Sequence, residues 1–237
     1  MNVLRTLPNW FTIGNLALGV VAIMMVFNDR TDVAAMLVLI AMLLDGLDGR
    51  VARALNVTSE FGKQLDSLSD MISFGVAPAL MMYVVVFQDV PVALGWFVTS
   101  VFPICGALRL ARFNVHAGVP GFFIGLPIPV AGGALCTMAL FASHIPTWVM
   151  IGASLLLSLL MVSSVQYPSF KKWKPPRALI WISPFAVIGV TSIAILYPGG
   201  LSKVLFVPLL LYALFGLRKN TEFMQRLARR RSDKRGE

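Results

Sequence analysis

The chain has 237 residues, 57% of them hydrophobic and 13% charged, with a formal net charge of +9. A water-soluble domain carries roughly 25% charged residues, so the apolar excess excludes a single soluble core and points to a membrane protein. Cys105 and Cys136 lie in apolar runs without a C-x-x-C, which excludes a disulfide framework, and His116 and His144 stand too far apart to suggest a histidine zinc site.

From the N-terminus, eight apolar segments reach or approach the roughly 20 residues needed to cross a bilayer. They cover 10–27, 33–54, 64–87, 91–112, 123–143, 147–165, 178–196 and 202–217. The first lacks an A-x-A-like cleavage site and is read as a retained helix rather than a signal peptide. Turn chemistry separates the segments: Asn28-Asp29, Gln88 to Pro91, Gly118 to Gly121, Pro146, Pro175-Pro176 and Pro198-Gly199-Gly200. No internal repeat is visible. The fold class is therefore all-α and polytopic, with one membrane domain over 1–217 and a basic tail over 218–237.

Charge placement orients the segments. Of the 20 Lys and Arg residues, only Arg30 and Lys203 fall in the loops that join segments 1–2 and 7–8, and the loops at 88–90 and 144–146 hold none. The rest lie at the N-terminus, around 50–63, at Arg109 and Arg112, at 171–177 and beyond 217. The positive-inside rule puts both termini and the loops 55–63, 113–122 and 166–177 in the cytoplasm, as eight spans require. The basic excess thus reports topology first. The tail is a solvated anchor that can also touch anionic headgroups.

The chemistry sits in segments 2 and 3. Four of the eleven acidic residues, Asp45, Asp48, Asp66 and Asp70, lie within or at the ends of these two segments. A carboxylate at a membrane helix centre costs about 2.5–3.5 kcal/mol to insert, and Arg50, Arg53 and Lys63 are too few and too peripheral to offset four of them. The i,i+3 and i,i+4 spacings put each pair on one helix face, and the short connecting loop makes the helices antiparallel. The four carboxylates are predicted to converge at the cytoplasmic edge, where a divalent cation would relieve their repulsion. Hard oxygen ligands suit magnesium, manganese or calcium rather than zinc. Around them, Gly49 and Gly62 allow close backbone approach, Arg53 can fork onto a phosphate, and Thr58 and Ser59 offer hydroxyls. Helix packing is the competing explanation for the glycines.

Asp45-x-x-Asp48-Gly49-x-x-Ala52-Arg53, then eight residues, then Gly62-x-x-x-Asp66-x-x-x-Asp70 resembles the signature of the CDP-alcohol phosphatidyltransferase family at all eight fixed positions. Further strings resemble its phosphatidylserine synthase branch: Pro8-Asn9-x-x-Thr12-x-x-Asn15, Ser73-Phe74-Gly75-x-Ala77-Pro78, Arg109 to Asn114, Phe123 to Pro129, Met161-Val162-Ser163 and Tyr167 to Lys171. The resemblance runs from residue 8 to about 171. It implies a six-helix core within the eight spans, two bound divalent cations (Mg2+ or Mn2+) and a homodimer in the cell inner or plasma membrane with a cytoplasmic active site. It further implies that the hydroxyl of L-serine attacks the lipid-bearing phosphorus of CDP-diacylglycerol, with CMP leaving. Asp45, Asp48, Asp66 and Asp70 would hold metal, Asp70 would also be the general base, and Asn9, Thr12, Gly49, Arg53, Ser59 and Gly62 would contact nucleotide and phosphate.

Arg109 and Arg112 lie one helical turn apart. They either snorkel to the interface or one of them reads the carboxylate of serine. Two other readings compete. The acceptor could be inositol phosphate, glycerol phosphate or another alcohol, or the chain could transport divalent cations. A transporter is expected to keep its carboxylates near the bilayer midplane within an internal repeat, neither of which the sequence offers. No nucleic-acid partner is expected.

The charge asymmetry makes the topology testable. In a Cys105→Ala/Cys136→Ala background, Pro198→Cys should react with an impermeant thiol reagent added from outside and Lys174→Cys should not. The reverse labelling pattern would invert the orientation.

Overall fold

The computed structural model of the chain describes residues 3–54, 57, 59–115 and 122–168. The expected segments at 178–196 and 202–217, the basic tail and the lysines at 171, 172 and 174 lie outside the described residues. The described part is helical apart from one short ribbon. Helix α1 (Val3–Phe27) is followed by α2 (Thr31–Ala54) after a three-residue turn. In that turn Asn28 Nδ2 donates to Met24 O at 2.7 Å, and Asp29 takes a left-handed φ of 57°, a conformation that Asn and Asp tolerate better than other side chains. So short a connection makes α1 and α2 antiparallel neighbours.

Helix α3 (Glu60–Asp70) starts on an extended Ser59, whose hydroxyl accepts from Gly62 N at 3.0 Å and so serves as N-cap. The chain then passes through a π-helical segment (Met71–Val76) into α4 (Ala77–Val85). Pro78 explains the widening. It has no N–H and its ring crowds the carbonyl four residues back, so the ladder slips and Ala77 N instead reaches Ile72 O, five residues back. The carbonyl of Phe74, deprived of its usual donor, lies against Gly132 of a later helix.

After a 3-10 turn (Phe87–Asp89) come α5 (Val92–Val115), β1 (Phe122–Ile124), α6 (Ile128–Ala139), α7 (Thr147–Val162) and β2 (Gln166–Pro168). The two strands pair antiparallel, with Phe123 opposite Tyr167. Here the structure departs from expectation: the segment 123–143 is not one helix. It opens as a strand, turns at Gly125 with φ of 78°, and becomes helical only after Pro127. A positive φ interrupts any helix, and Pro127 holds the residue before it out of the helical region.

Among the described residues, three helices are long and apolar enough to cross a membrane: Asn9–Phe27, the continuous run Glu60–Val85, and Val92–Val115. Helix α2 has the length but carries Asp32, Asp45, Asp48, Arg50 and Arg53, while α6 and α7 are apolar but shorter, at 12 and 16 residues. The core runs from α1 and α2, at Val26, Ala35 and Val38, through the π segment and α4 to α7, around Phe74, Met82, Phe102, Leu135, Met150 and Tyr167. The outer surface is apolar as well: Trp10, Trp96 and Trp148 are 68%, 62% and 75% exposed. Apolar residues inside and outside alike are what a lipid solvent requires.

The contact between the π segment and α6 depends on a bare glycine. A Cβ on Gly132 would meet the Phe74 carbonyl oxygen and come within 2.9 Å of Phe74 Cα, whereas one on Gly152 would meet nothing within 4 Å. Overpacking of this kind costs about 1–3 kcal/mol. Gly132→Ala should therefore lower Tm in detergent by several degrees, roughly 2–4 °C per kcal/mol, while Gly152→Ala should leave it unchanged in the same thermal scan.

Candidate active site

The four aspartates come from the end of α2 and from α3. One carboxylate oxygen each from Asp45, Asp48 and Asp66 lies within 4.8 Å of the other two. Asp70 stands beside that trio, and Asp45 is within hydrogen-bonding range of both Asp66 and Asp70. Carboxylates this close repel unless a proton or a cation lies between them. Asp48 and Asp70 are buried, and Asp66 Oδ1 and Asp70 Oδ1 have no hydrogen-bond partner among the described residues. Hard oxygen donors with unused lone pairs, gathered in one place, fit a divalent cation.

Helix α1 forms the wall that orients them. Thr12 Oγ1 donates to Asp48 Oδ2 at 2.9 Å. Ser69 Oγ donates to Thr12 O at 3.1 Å, and one turn further Ser73 Oγ donates to Asn15 O at 2.9 Å. These two hydroxyls fix α3 and the π segment along α1, with Asp70 between them in sequence. Close approach is helped by Gly19, where a Cβ would come within 2.8 Å of Ser73 Cα. Thr12, one of the expected nucleotide contacts, is thus tied to an aspartate in this state.

The other expected contacts divide. Asn9, Ser59 and Gly62 come together at the start of α3: a Cβ on Gly62 would lie 3.1 Å from Ser59 Oγ and 3.3 Å from Asn9 Oδ1. The first turn of a helix, with its free N–H groups, suits an anion. Gly49 is half-buried in α2 beside Asp48. The side chain of Arg53, like Thr58, lies outside the described residues.

The two arginines of α5 separate. Arg109 is buried, lies 5.8 Å from the Phe113 ring centroid and interacts electrostatically with Asp70. Arg112 is exposed and donates from Nη1 to Val162 O at 2.9 Å, on the last turn of α7. There it meets one of the carbonyls every helix C-terminus leaves without an intrahelical partner. A further tie joins α5 to α3: Asn114 Nδ2 donates to Ser67 Oγ at 3.0 Å and reaches Gln64 Oε1 at 3.5 Å.

Sequence reasoning missed Ser69 and, although Asn15, Ser73 and Asn114 lie in the strings that carry the resemblance, gave them no role. The i,i+4 spacing of Ser69 and Ser73 within an apolar run, and the i,i+3 spacing of Thr12 and Asn15, are readable signs of a polar helix face. Their partners were not readable.

The family model for CDP-alcohol phosphatidyltransferases matches residues 5–162 of this chain. The CDP-diacylglycerol–serine O-phosphatidyltransferase of Helicobacter pylori strain J99 is 41% identical over 182 residues, covering 73% of this chain and 76% of that protein. The enzyme of the same name from Bacillus subtilis strain 168 is 39% identical over 166 residues, 70% of this chain and 92% of its own length. The archaetidylserine synthase of Methanothermobacter thermautotrophicus is 40% identical over 169 residues, 68% and 69% of the two chains.

The Thr12–Asp48 bond makes a direct prediction. Removing an outer partner of a metal-binding carboxylate typically weakens the metal 10- to 100-fold. Thr12→Val keeps the shape and removes the donor, so Mn2+ binding followed by electron paramagnetic resonance should weaken by roughly that factor. Unchanged affinity would show that the bond does not orient the carboxylate.

Proposed function

The chain belongs to the CDP-alcohol phosphatidyltransferase family, and from that premise we propose that it transfers the phosphatidyl group of CDP-diacylglycerol to the hydroxyl of L-serine, releasing CMP. The observation that carries this reading is the pairing of an aspartate trio with a fourth aspartate, Asp70, that has an arginine against it. The printed names of the Helicobacter and Bacillus relatives favour serine as the acceptor.

Asp45, Asp48 and Asp66, with Asp70 at their edge, would hold Mg2+ or Mn2+ as a two-ion site. When bound, the cations would supply charge neutralisation for the pyrophosphate and the departing CMP. Asp70 takes the proton as the serine hydroxyl oxygen forms its bond to the lipid-bearing phosphorus. The bond from that phosphorus to the bridging oxygen breaks, and CMP leaves with the electron pair. Arg109, already drawn to Asp70, reads the carboxylate of serine through its planar fork. Arg112 is engaged at the end of α7 and is the weaker candidate for that role. Asn9, Ser59 and Gly62 at the start of α3, with Thr12, Gly49 and Arg53, contact the nucleotide and its phosphates.

The architecture we propose around this site is a six-helix core within eight spans, both termini cytoplasmic, in a homodimer in the cell inner or plasma membrane. The site then opens to the cytoplasm, where CDP and serine arrive while the acyl chains stay in the bilayer. The charge asymmetry of the loops supports that orientation.

The test is product identification. Purified protein given CDP-diacylglycerol, Mn2+ and labelled L-serine should yield phosphatidylserine and CMP in equal amounts, and EDTA should abolish both. Glycerol phosphate and inositol phosphate should not substitute. Asp70→Asn keeps the size of the side chain but cannot serve as base, so turnover should fall by roughly 10²- to 10⁴-fold. Full activity in metal-free buffer, or preference for a phosphorylated acceptor, would overturn the reading.

A further inference from the structure

Asn15 has no part in the reaction as described, yet its side chain is wholly buried and neither its amide oxygen nor its amide nitrogen has a partner among the described residues. Burying both ends of an amide unsatisfied is unfavourable, and such groups in folded proteins ordinarily have a partner. Its position indicates which partner. Ser69 and Ser73 hold the carbonyls of Thr12 and Asn15, so Asn15 lies within one turn of Asp70 along the paired helices. Helices α1 and α2 are antiparallel and the Thr12–Asp48 bond fixes their register. One turn on from Thr12 is Asn15, and one turn back from Asp48 is Asp45. By this register Asn15 falls level with Asp45 and Asp70, the two carboxylates in contact with each other, and Asp70 Oδ1 is likewise without a partner among the described residues.

The chemistry narrows the ligand. An acyl chain satisfies neither end of an amide. A phosphate accepts hydrogen bonds and does not donate them, so it would leave Asn15 Oδ1 bare. The cytosine edge of the nucleotide pairs a donor with an acceptor too, but the group that must lie beside the base Asp70 is the acceptor alcohol, and there a free α-amino acid offers both halves, a carboxylate that accepts and an ammonium that donates. We propose that Asn15 is a specificity-determining residue for the acceptor: its Nδ2 donates to the carboxylate, and its Oδ1 accepts from the ammonium, of an amino acid whose hydroxyl faces Asp70. This deepens the serine reading above and rests on it. Arg109 acts on Asp70 from α5 and Asn15 belongs to α1, so the two would hold the amino acid from different helices while its hydroxyl is presented to the base.

The experiment uses the full chain with Mn2+ and CDP-diacylglycerol. Wild type is first offered serine, ethanolamine, which lacks the carboxylate, and 3-hydroxypropionate, which lacks the ammonium. Both analogues should be used at least 10-fold less efficiently than serine. Asn15→Ala and Asn15→Leu should raise the serine KM by roughly 10- to 100-fold, as expected for hydrogen bonds to charged groups, and should narrow the gap to both analogues. The CDP-diacylglycerol KM should stay within about twofold. Because no side-chain bond to the described residues is lost, Tm should not fall with Asn15→Leu. Efficient use of 3-hydroxypropionate by wild type, or an unchanged serine KM in a variant that still transfers to serine, would overturn the proposal. So would a lowered Tm with both KM values moving together, which marks a structural amide or a buried water. Failure of wild type to use serine at all would instead overturn the function beneath it.

Discussion

The structure depends on one constraint: four carboxylates from two helices are brought into one place among apolar segments. Removing such groups from water is expensive unless they are paired or hold a cation. The described residues offer limited compensation. Thr12 donates to Asp48 and Arg109 acts on Asp70, while single oxygens of Asp66 and Asp70 are left unsatisfied. That residual deficit is one that a bound divalent cation would relieve. The features that hold it also follow from it, including the tight turn after α1, the Ser59 cap and the two serine hydroxyls gripping the α1 backbone.

The π segment adapts the helix that carries Asp66 and Asp70 to its surroundings. Pro78 removes one rung of the ladder, and the wider turn that results needs room on two sides. Gly19 on α1 and Gly132 on α6 supply it by having no side chain. In lipid, where apolar burial gives no preference for one helix neighbour over another, contacts of this kind between small residues and backbone decide how helices pack.

A second closure shapes the end of the bundle where Arg109 stands. The last carbonyls of α7 are taken by Leu126 N and Ser163 Oγ, both on Leu160 O, and by Arg112 on Val162 O. The β1–β2 ribbon and the turn at Gly125 bring Leu126 to that position. Backbone groups away from water must be satisfied internally. The motif around Gly125 and Pro127 is therefore explained by capping α7, and the exposed arginine one turn from Arg109 has a structural partner of its own.

Membrane character, helical class, the positions of most helices among the described residues and the aspartate cluster were all legible in the amino-acid sequence. Each of these rests on composition, on period or on spacings of three and four residues, which are local properties that a helix converts directly into a shared face. The 123–143 segment was misread as one helix because an apolar run shows hydropathy but not the φ of Gly125 or the capping demand of a distant helix end. The division of labour between Arg109 and Arg112 was hidden for a similar reason: two arginines one turn apart differ only in what the neighbouring helices place beside them. Which residue touches Asp48, which hydroxyls hold α1 to α3, and that Asn15 is enclosed without a partner among the described residues depend on the register between helices, and register is set by packing between segments distant in the chain.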